Sequence, residues 1–151
     1  MTYQRFEDLP VWQEAARLFD LADDFLVEAP RRLRAAFRNQ HERAVLSVSN
    51  NIAEGFERGT TKELLAFIYI ARGSAGEVRS MLSLLSRRAW IREYKPQIAK
   101  MISSAESCSR QLRAWAGSLQ NSEIKGQRHL NQSVRNKVRE KKGAAVFPRN
   151  R

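Results

Sequence analysis

The sequence predicts an all-α fold: an up-down-up-down four-helix bundle carrying a basic, weakly ordered C-terminal tail. Three observations point there. Four long windows space their apolar residues by three and four, no stretch alternates as a half-buried strand would, and the connections between windows are short. With 151 residues, 42% of them hydrophobic, the chain suffices for one domain with a genuine core, spanning 1–120, plus an appendage over 121–151.

The first helix is expected to begin after Asp8 as N-cap, with Pro10 in its first turn. Its apolar stripe is Val11, Ala15, Leu18, Ala22 and Phe25, and Pro30 ends it. The second runs from about Arg32 to Glu57, turns Leu33, Phe37, Ala44, Val48 and Ile52 inward, and stops at Gly59. Thr60 and Glu63 then form the T-x-x-E of a capping box, in which hydroxyl and carboxylate each satisfy a free N–H at the start of the third helix. That helix continues through Leu64, Phe67, Ile70, Ala71, Val78, Met81, Leu82 and Leu85 to about Arg88, and Trp90 and Ile91 lead into a short turn. Pro96 suits the first turn of the fourth helix, which buries Ile98, Met101, Ile102, Ala105, Cys108, Leu112, Trp115 and Leu119. Short connections make sequential helices antiparallel neighbours, and counting outward from Gly59 sets Arg43 level with Glu77, a predicted ion pair.

Charge is the strongest compositional signal. A net +11 points to polyanions, and it is unevenly placed: residues 121–151 hold nine Lys or Arg against two acids. The tail is expected to be weakly ordered alone, with Leu130, Val134 and Val138 able to line a basic amphipathic helix on a partner. The bundle end shared by the loops after the first and third helices collects Arg31, Arg32, Arg34, Arg87, Arg88, Arg92 and Lys95. With Lys125, Arg128, Arg135, Lys137, Arg139, Lys141 and Lys142 of the tail, these are the expected nucleic-acid contacts, made to phosphates with little base information.

Two polar or small-residue clusters sit inside helices. Gly73 and Gly76 flank Ser74 and Ala75 in the third, each glycine costing roughly 1 kcal/mol relative to alanine, so close approach to a neighbouring helix or another subunit is expected. Asn50, Asn51, Glu54 and Gly55 in the second call for cross-helix hydrogen bonds or a subunit contact, and Glu77 of the third is counted with the same packing set.

Enzyme templates do not fit. Gly59-Thr60-Thr61-Lys62 lacks the spacing and the preceding strand of a phosphate-binding loop. The residues three before His41 and His129 are Arg38 and Gly126, not the Glu of a di-iron bundle, and His41 reads as a solvated histidine without a nucleophile. The single cysteine, Cys108, excludes an internal disulfide and reads as a core residue. No catalytic residue, metal ligand or cofactor is expected. No apolar run approaches the roughly 20 residues of a membrane span, and MTYQRFEDLP lacks a signal-peptide layout, so a cytoplasmic protein without a membrane partner is expected.

Three blocks carry a family resemblance: F-E-D-L-x-V-W-Q-x-A from Phe6 to Ala15, S-V-S-N-N-I-A-E-G from Ser47 to Gly55 followed by Arg58, and I-A-R-G-S-A-G-E from Ile70 to Glu77. In this order and separation they resemble the four-helix bundle proteins also called 23S rRNA-intervening-sequence proteins, over roughly residues 6–119. The resemblance implies a left-handed up-down-up-down bundle assembled as a homopentamer, often a barrel with a central channel. Accessory proteins of diversity-generating retroelement reverse transcriptases look like distant members, which implies a basic surface able to meet nucleic acid and, as an alternative function, a scaffold for such a polymerase. The tail lies beyond the resemblance.

Overall fold

The computed structural model describes residues 3–122. A 3₁₀ turn at Phe6–Asp8 leads into α1 (Pro10–Glu28), followed by α2 (Ala35–Glu57), α3 (Thr61–Ser86), a 3₁₀ segment (Ala89–Tyr94) and α4 (Lys95–Gln120). Among the described residues there is no β-strand, and the fold is the predicted all-α four-helix bundle.

Cross-helix hydrogen bonds fix the topology. Gln40 meets Glu77 and Ser47 meets Ser74, so position rises along α2 as it falls along α3. Arg79 meets Glu106 and Tyr69 meets Gln120 between α3 and α4, while Ser104 meets Glu14 and Gln97 meets Glu28 between α4 and α1. Each helix is thus antiparallel to its neighbours in the ring, the up-down-up-down order that short connections require.

The core is a continuous apolar column. Val11, Ala15, Leu18, Ala22 and Phe25 of α1 are all buried, as their spacing predicts. From α3 the buried stripe is Leu64, Ile68, Ala71, Ala75, Val78, Leu82 and Leu85, and from α4 it is Ile98, Met101, Ala105, Cys108, Leu112 and Ala116. Trp90, Ile102, Trp115 and Leu119 pack against this column half-buried.

Several expectations need correction. Asp8 does not cap α1. The N-cap is Leu9, whose buried side chain closes the core while the preceding 3₁₀ turn contains Asp8. The second helix starts at Ala35, three residues later than expected, because the Leu33 N–H closes a turn on the Pro30 carbonyl and Arg34 is extended at φ −63°, ψ 144°. Ile70 is 52% exposed because the inward stripe of α3 runs through Ile68 and Ala71 on its other side. Thr60 caps α3 by accepting from the Glu63 N–H at 3.2 Å, but the Glu63 carboxylate takes the Thr60 hydroxyl at 2.7 Å instead of reaching the Thr60 backbone N–H. Trp90 and Ile91 lie in a 3₁₀ segment of six residues, longer than a turn.

His41 is the sharpest correction. It is fully buried, stacked on Phe37 with ring centroids 5.8 Å apart, and neither ring nitrogen has a hydrogen-bond partner. Its place between Phe37 and Val45 on the inward stripe of α2 puts it in the core, and burial pushes its pKa down to about 4.

Candidate nucleic-acid interface

The α1–α2 loop at one end of the bundle is held by a residue outside it. Arg38, in the first turn of α2, donates to the carbonyls of Leu26 (Nη1, 2.7 Å), Ala29 (Nη2, 3.0 Å), Pro30 (Nη2, 3.2 Å) and Leu33 (Nε, 3.3 Å). The last carbonyls of a helix have no intrahelical partner, and a guanidinium both satisfies them and complements the negative end of the helix dipole. Arg38 thereby fixes the path of residues 29–34, on which Arg31, Arg32 and Arg34 ride. Across the end, Tyr94 donates its hydroxyl to the Glu28 carbonyl at 2.9 Å and stands edge-on to Phe25 at 5.9 Å, pinning the 3₁₀ segment to α1.

Between these loops lies a cleft of about 600 Å³ lined by Arg32, Leu33, Arg34, Phe37, Leu85, Arg88 and Trp90. Its lining combines three arginines with two leucines and two aromatic side chains. Of the end cluster predicted from sequence, Arg32, Arg34 and Arg88 converge on the cleft. Arg31, Arg87, Arg92 and Lys95 are exposed around it. Among the described residues none of these seven cations forms an ion pair, so their charge is uncompensated by any direct partner. Lys125, Arg128, Arg135, Lys137, Arg139, Lys141 and Lys142 lie outside the described residues.

The packing set divides. Ser74 is buried and shares a hydrogen bond of 2.7 Å with Ser47 across the α2–α3 seam, while also donating to the Ile70 carbonyl of its own helix at 3.1 Å. Asn51 stays on its own helix, donating to the Ser47 carbonyl at 2.7 Å and its hydroxyl at 3.0 Å. Glu54 pairs with Arg58 one turn on, at 2.7 Å, and Asn50 is exposed. Glu77 accepts from Gln40 at 2.5 Å, not from Arg43, which is exposed. Gly55 is the glycine at which helices close: a Cβ there would stand 2.7 Å from the Phe67 Cβ and 3.1 Å from Leu64 Cδ1. Gly73 and Gly76, by contrast, have nothing within 4 Å of such an atom, so among the described residues no helix approaches them.

Cys108 is buried in the core, its thiol pushed up to about 12 by desolvation and by the Glu14 carboxylate. Among the described residues no three His, Cys, Asp or Glu side chains are grouped to hold a metal ion, and no helix is long and apolar enough to cross a membrane.

A solved structure from Bacteroides thetaiotaomicron, described as a protein of unknown function from the S23 ribosomal protein family, superposes with a TM-score of 0.59 at 22% identity, covering 71% of this chain and 95% of that one. At that identity the likeness speaks for the bundle alone. No curated protein matches the sequence. The family profile described as 23S rRNA-intervening sequence protein matches residues 7–114, from the 3₁₀ turn before α1 into the last two turns of α4. The chain belongs to the 23S rRNA-intervening sequence protein family.

Proposed function

We propose that the chain is a non-enzymatic, homo-oligomeric nucleic-acid-binding module that holds RNA through phosphate contacts. The observation carrying this reading is the cleft at the loop end, which Arg32, Arg34 and Arg88 line together with Phe37 and Trp90. Guanidinium groups suit phosphate oxygens in geometry and charge, and neutralising phosphates releases condensed counterions. The aromatic side chains beside them offer a stacking surface that accepts any base, so binding would be sequence-tolerant. The family's description, which names an rRNA intervening sequence, agrees with a nucleic-acid partner.

The basic tail, 121–151, acts in this reading as a second phosphate contact that strengthens the first. Assembly supports it further. Leu46 and Asn50 of α2 and Ile70, Gly73 and Leu84 of α3 lie on the outer side of the Ser47–Ser74 seam, an exposed face with apolar residues and an open glycine, suited to a second copy of the chain. A homopentamer, as the family resemblance implies, would present five tails of charge +7 and raise avidity without any new type of contact.

Light scattering of the full chain measures the assembly, and RNA binding across a salt series measures the contact. The reading expects a pentamer whose affinity falls steeply with salt, and a weaker salt dependence in R32A/R34A/R88A and in a variant with the tail cations replaced by glutamine. A pentamer indifferent to nucleic acid at low salt sinks the reading and leaves a protein scaffold, such as a reverse-transcriptase accessory, in its place.

A further inference from the structure

We propose that the groove between α3 and α4 is a second phosphate site, one that seats the phosphodiester backbone of a nucleic-acid strand along the side of the bundle. The proposal rests on the nucleic-acid reading above but not on the loop-end cleft. Arg72 and Arg79 of α3 and Glu106, Ser109, Arg110 and Arg113 of α4 line a depression of about 260 Å³. Spacing along each helix brings these residues to one face. Arg72 and Arg79 are seven residues apart, so they recur on the same side at a separation of roughly 10.5 Å. Arg110 and Arg113 are helical neighbours at three residues' spacing.

The register between helices does the rest. Arg79 meets Glu106 at 3.2 Å, and in antiparallel helices the same count sets Arg72 level with Arg113. Like charges therefore stand across the groove from one another, with Arg110 beside them. Such an arrangement is unfavourable in itself, and a bound anion reverses its sign. Glu106, the single carboxylate in the lining, is engaged with Arg79 and holds that guanidinium at the groove's edge. Among the described residues Arg72, Arg110 and Arg113 have no ion-pair partner. Ser109 adds a hydroxyl donor to the wall.

The lining also says which part of the ligand it takes. The loop-end cleft has Phe37 and Trp90 in its lining, whereas this groove has no aromatic residue in its lining and presents guanidinium and hydroxyl groups only, apart from Glu106. It suits phosphates and leaves bases in water. Its length of roughly 10.5 Å seats a short run of consecutive phosphates.

The test uses the full-length protein with fluorescently labelled single-stranded RNA and its DNA counterpart, each titrated across a salt series. R72A/R110A/R113A is expected to lower the salt slope for RNA by about 2, the value for three lost phosphate contacts at about 0.7 each, and to weaken DNA binding equally. E106Q, nearly isosteric, removes the one negative charge and is expected to tighten binding roughly fivefold. It keeps the test decisive if the triple variant misfolds. An unchanged slope in the folded triple variant, or unchanged affinity in E106Q, overturns the inference. Loss of RNA binding with DNA binding intact also overturns it, since that pattern assigns the groove to the 2′-hydroxyl. R32A/R34A/R88A is measured in parallel: a weakened loop-end variant beside an unchanged groove variant defeats this inference alone, and the reverse result supports it while defeating the loop-end cleft.

Discussion

The Nη1 of Arg38 donates to the Leu26 carbonyl at 2.7 Å, tying the first turn of α2 to the last turn of α1 across twelve residues of chain. Three further carbonyls of the linker accept from the same guanidinium, so one side chain replaces the missing hydrogen bonds of a helix end. Arg38→Ala takes the guanidinium away from four half-buried carbonyls, of which Pro30 keeps the Leu33 N–H, and is expected to destabilise the fold by about 2 to 3 kcal/mol. Arg38→Lys keeps the charge but loses the fork and should recover less than half of that. Urea unfolding followed by circular dichroism measures both. A cost for Arg38→Ala no larger than that of an exposed surface arginine would dismiss the capping role.

His41 makes stability sensitive to acid. Its pKa is about 4 in the folded chain and near 6.5 when unfolded, so between these values the unfolded state binds more protons than the folded one. Stability is therefore full above about pH 6.5 and is lost as pH falls toward 4, by up to roughly 3 kcal/mol from this residue. His41→Leu removes both unpartnered nitrogens, is expected to stabilise the protein by about 1 to 2 kcal/mol at neutral pH, and flattens that part of the pH profile. Denaturant midpoints at pH 7 and pH 5 for the two proteins decide it. An equal acid loss in wild type and His41→Leu assigns the effect to other groups.

Much of this architecture was legible in the residues. The stripe from Val11 to Phe25 and the Thr60 cap are local patterns, and local patterns survive folding because they need only one helix to be meaningful. What failed depended on relations between helices. Arg43 and Gln40 differ by less than one turn, and the shape of the Arg58–Thr60 connection and the packing of α2 on α3 decide that Gln40 reaches Glu77. His41 did carry a signal, since it lies on the same stripe as Phe37, Ala44 and Val48, but its polarity argued against the stripe. Arg38 caps carbonyls up to twelve residues earlier, and no motif marks that. Loop counting sufficed to bring Arg32, Arg34 and Arg88 to one end, where they line a common cleft, whereas the groove of Arg72, Arg79, Arg110 and Arg113 required the α3–α4 register.

The glycines separate by sign. Gly55→Ala introduces a Cβ at 2.7 Å from the Phe67 Cβ, an approach that one of the two helices must yield to, and is expected to cost about 1 to 3 kcal/mol. Gly73→Ala and Gly76→Ala meet nothing among the described residues, so higher helix propensity acts and each should stabilise the protomer by about 0.5 to 1 kcal/mol. Denaturation midpoints under conditions that dissociate any assembly measure all three. Light scattering of the same proteins adds a second reading: a fall in assembled mass for Gly73→Ala marks the outer α2–α3 face as the subunit contact. A Gly55→Ala protein as stable as the parent would show that the α2–α3 seam relaxes freely.

Cys108 tests the tightness of the core. With the thiol pushed up to about 12 against an ordinary value of 9.0, its thiolate fraction at mildly alkaline pH is smaller by roughly a thousandfold, and burial removes access as well. Reaction with a thiol reagent in the folded protein should therefore proceed only through opening of the bundle, and addition of denaturant should raise the rate by at least that factor. Cys108→Ser places a hydroxyl among Met101, Ala105 and Leu112, residues of the same buried stripe, and is expected to cost about 1 to 3 kcal/mol. Rapid labelling of the native protein, with circular dichroism showing the helices intact, would mean that α4 moves away from α1 without global unfolding, and the antiparallel α1–α4 contact would then be the weakest seam of the bundle.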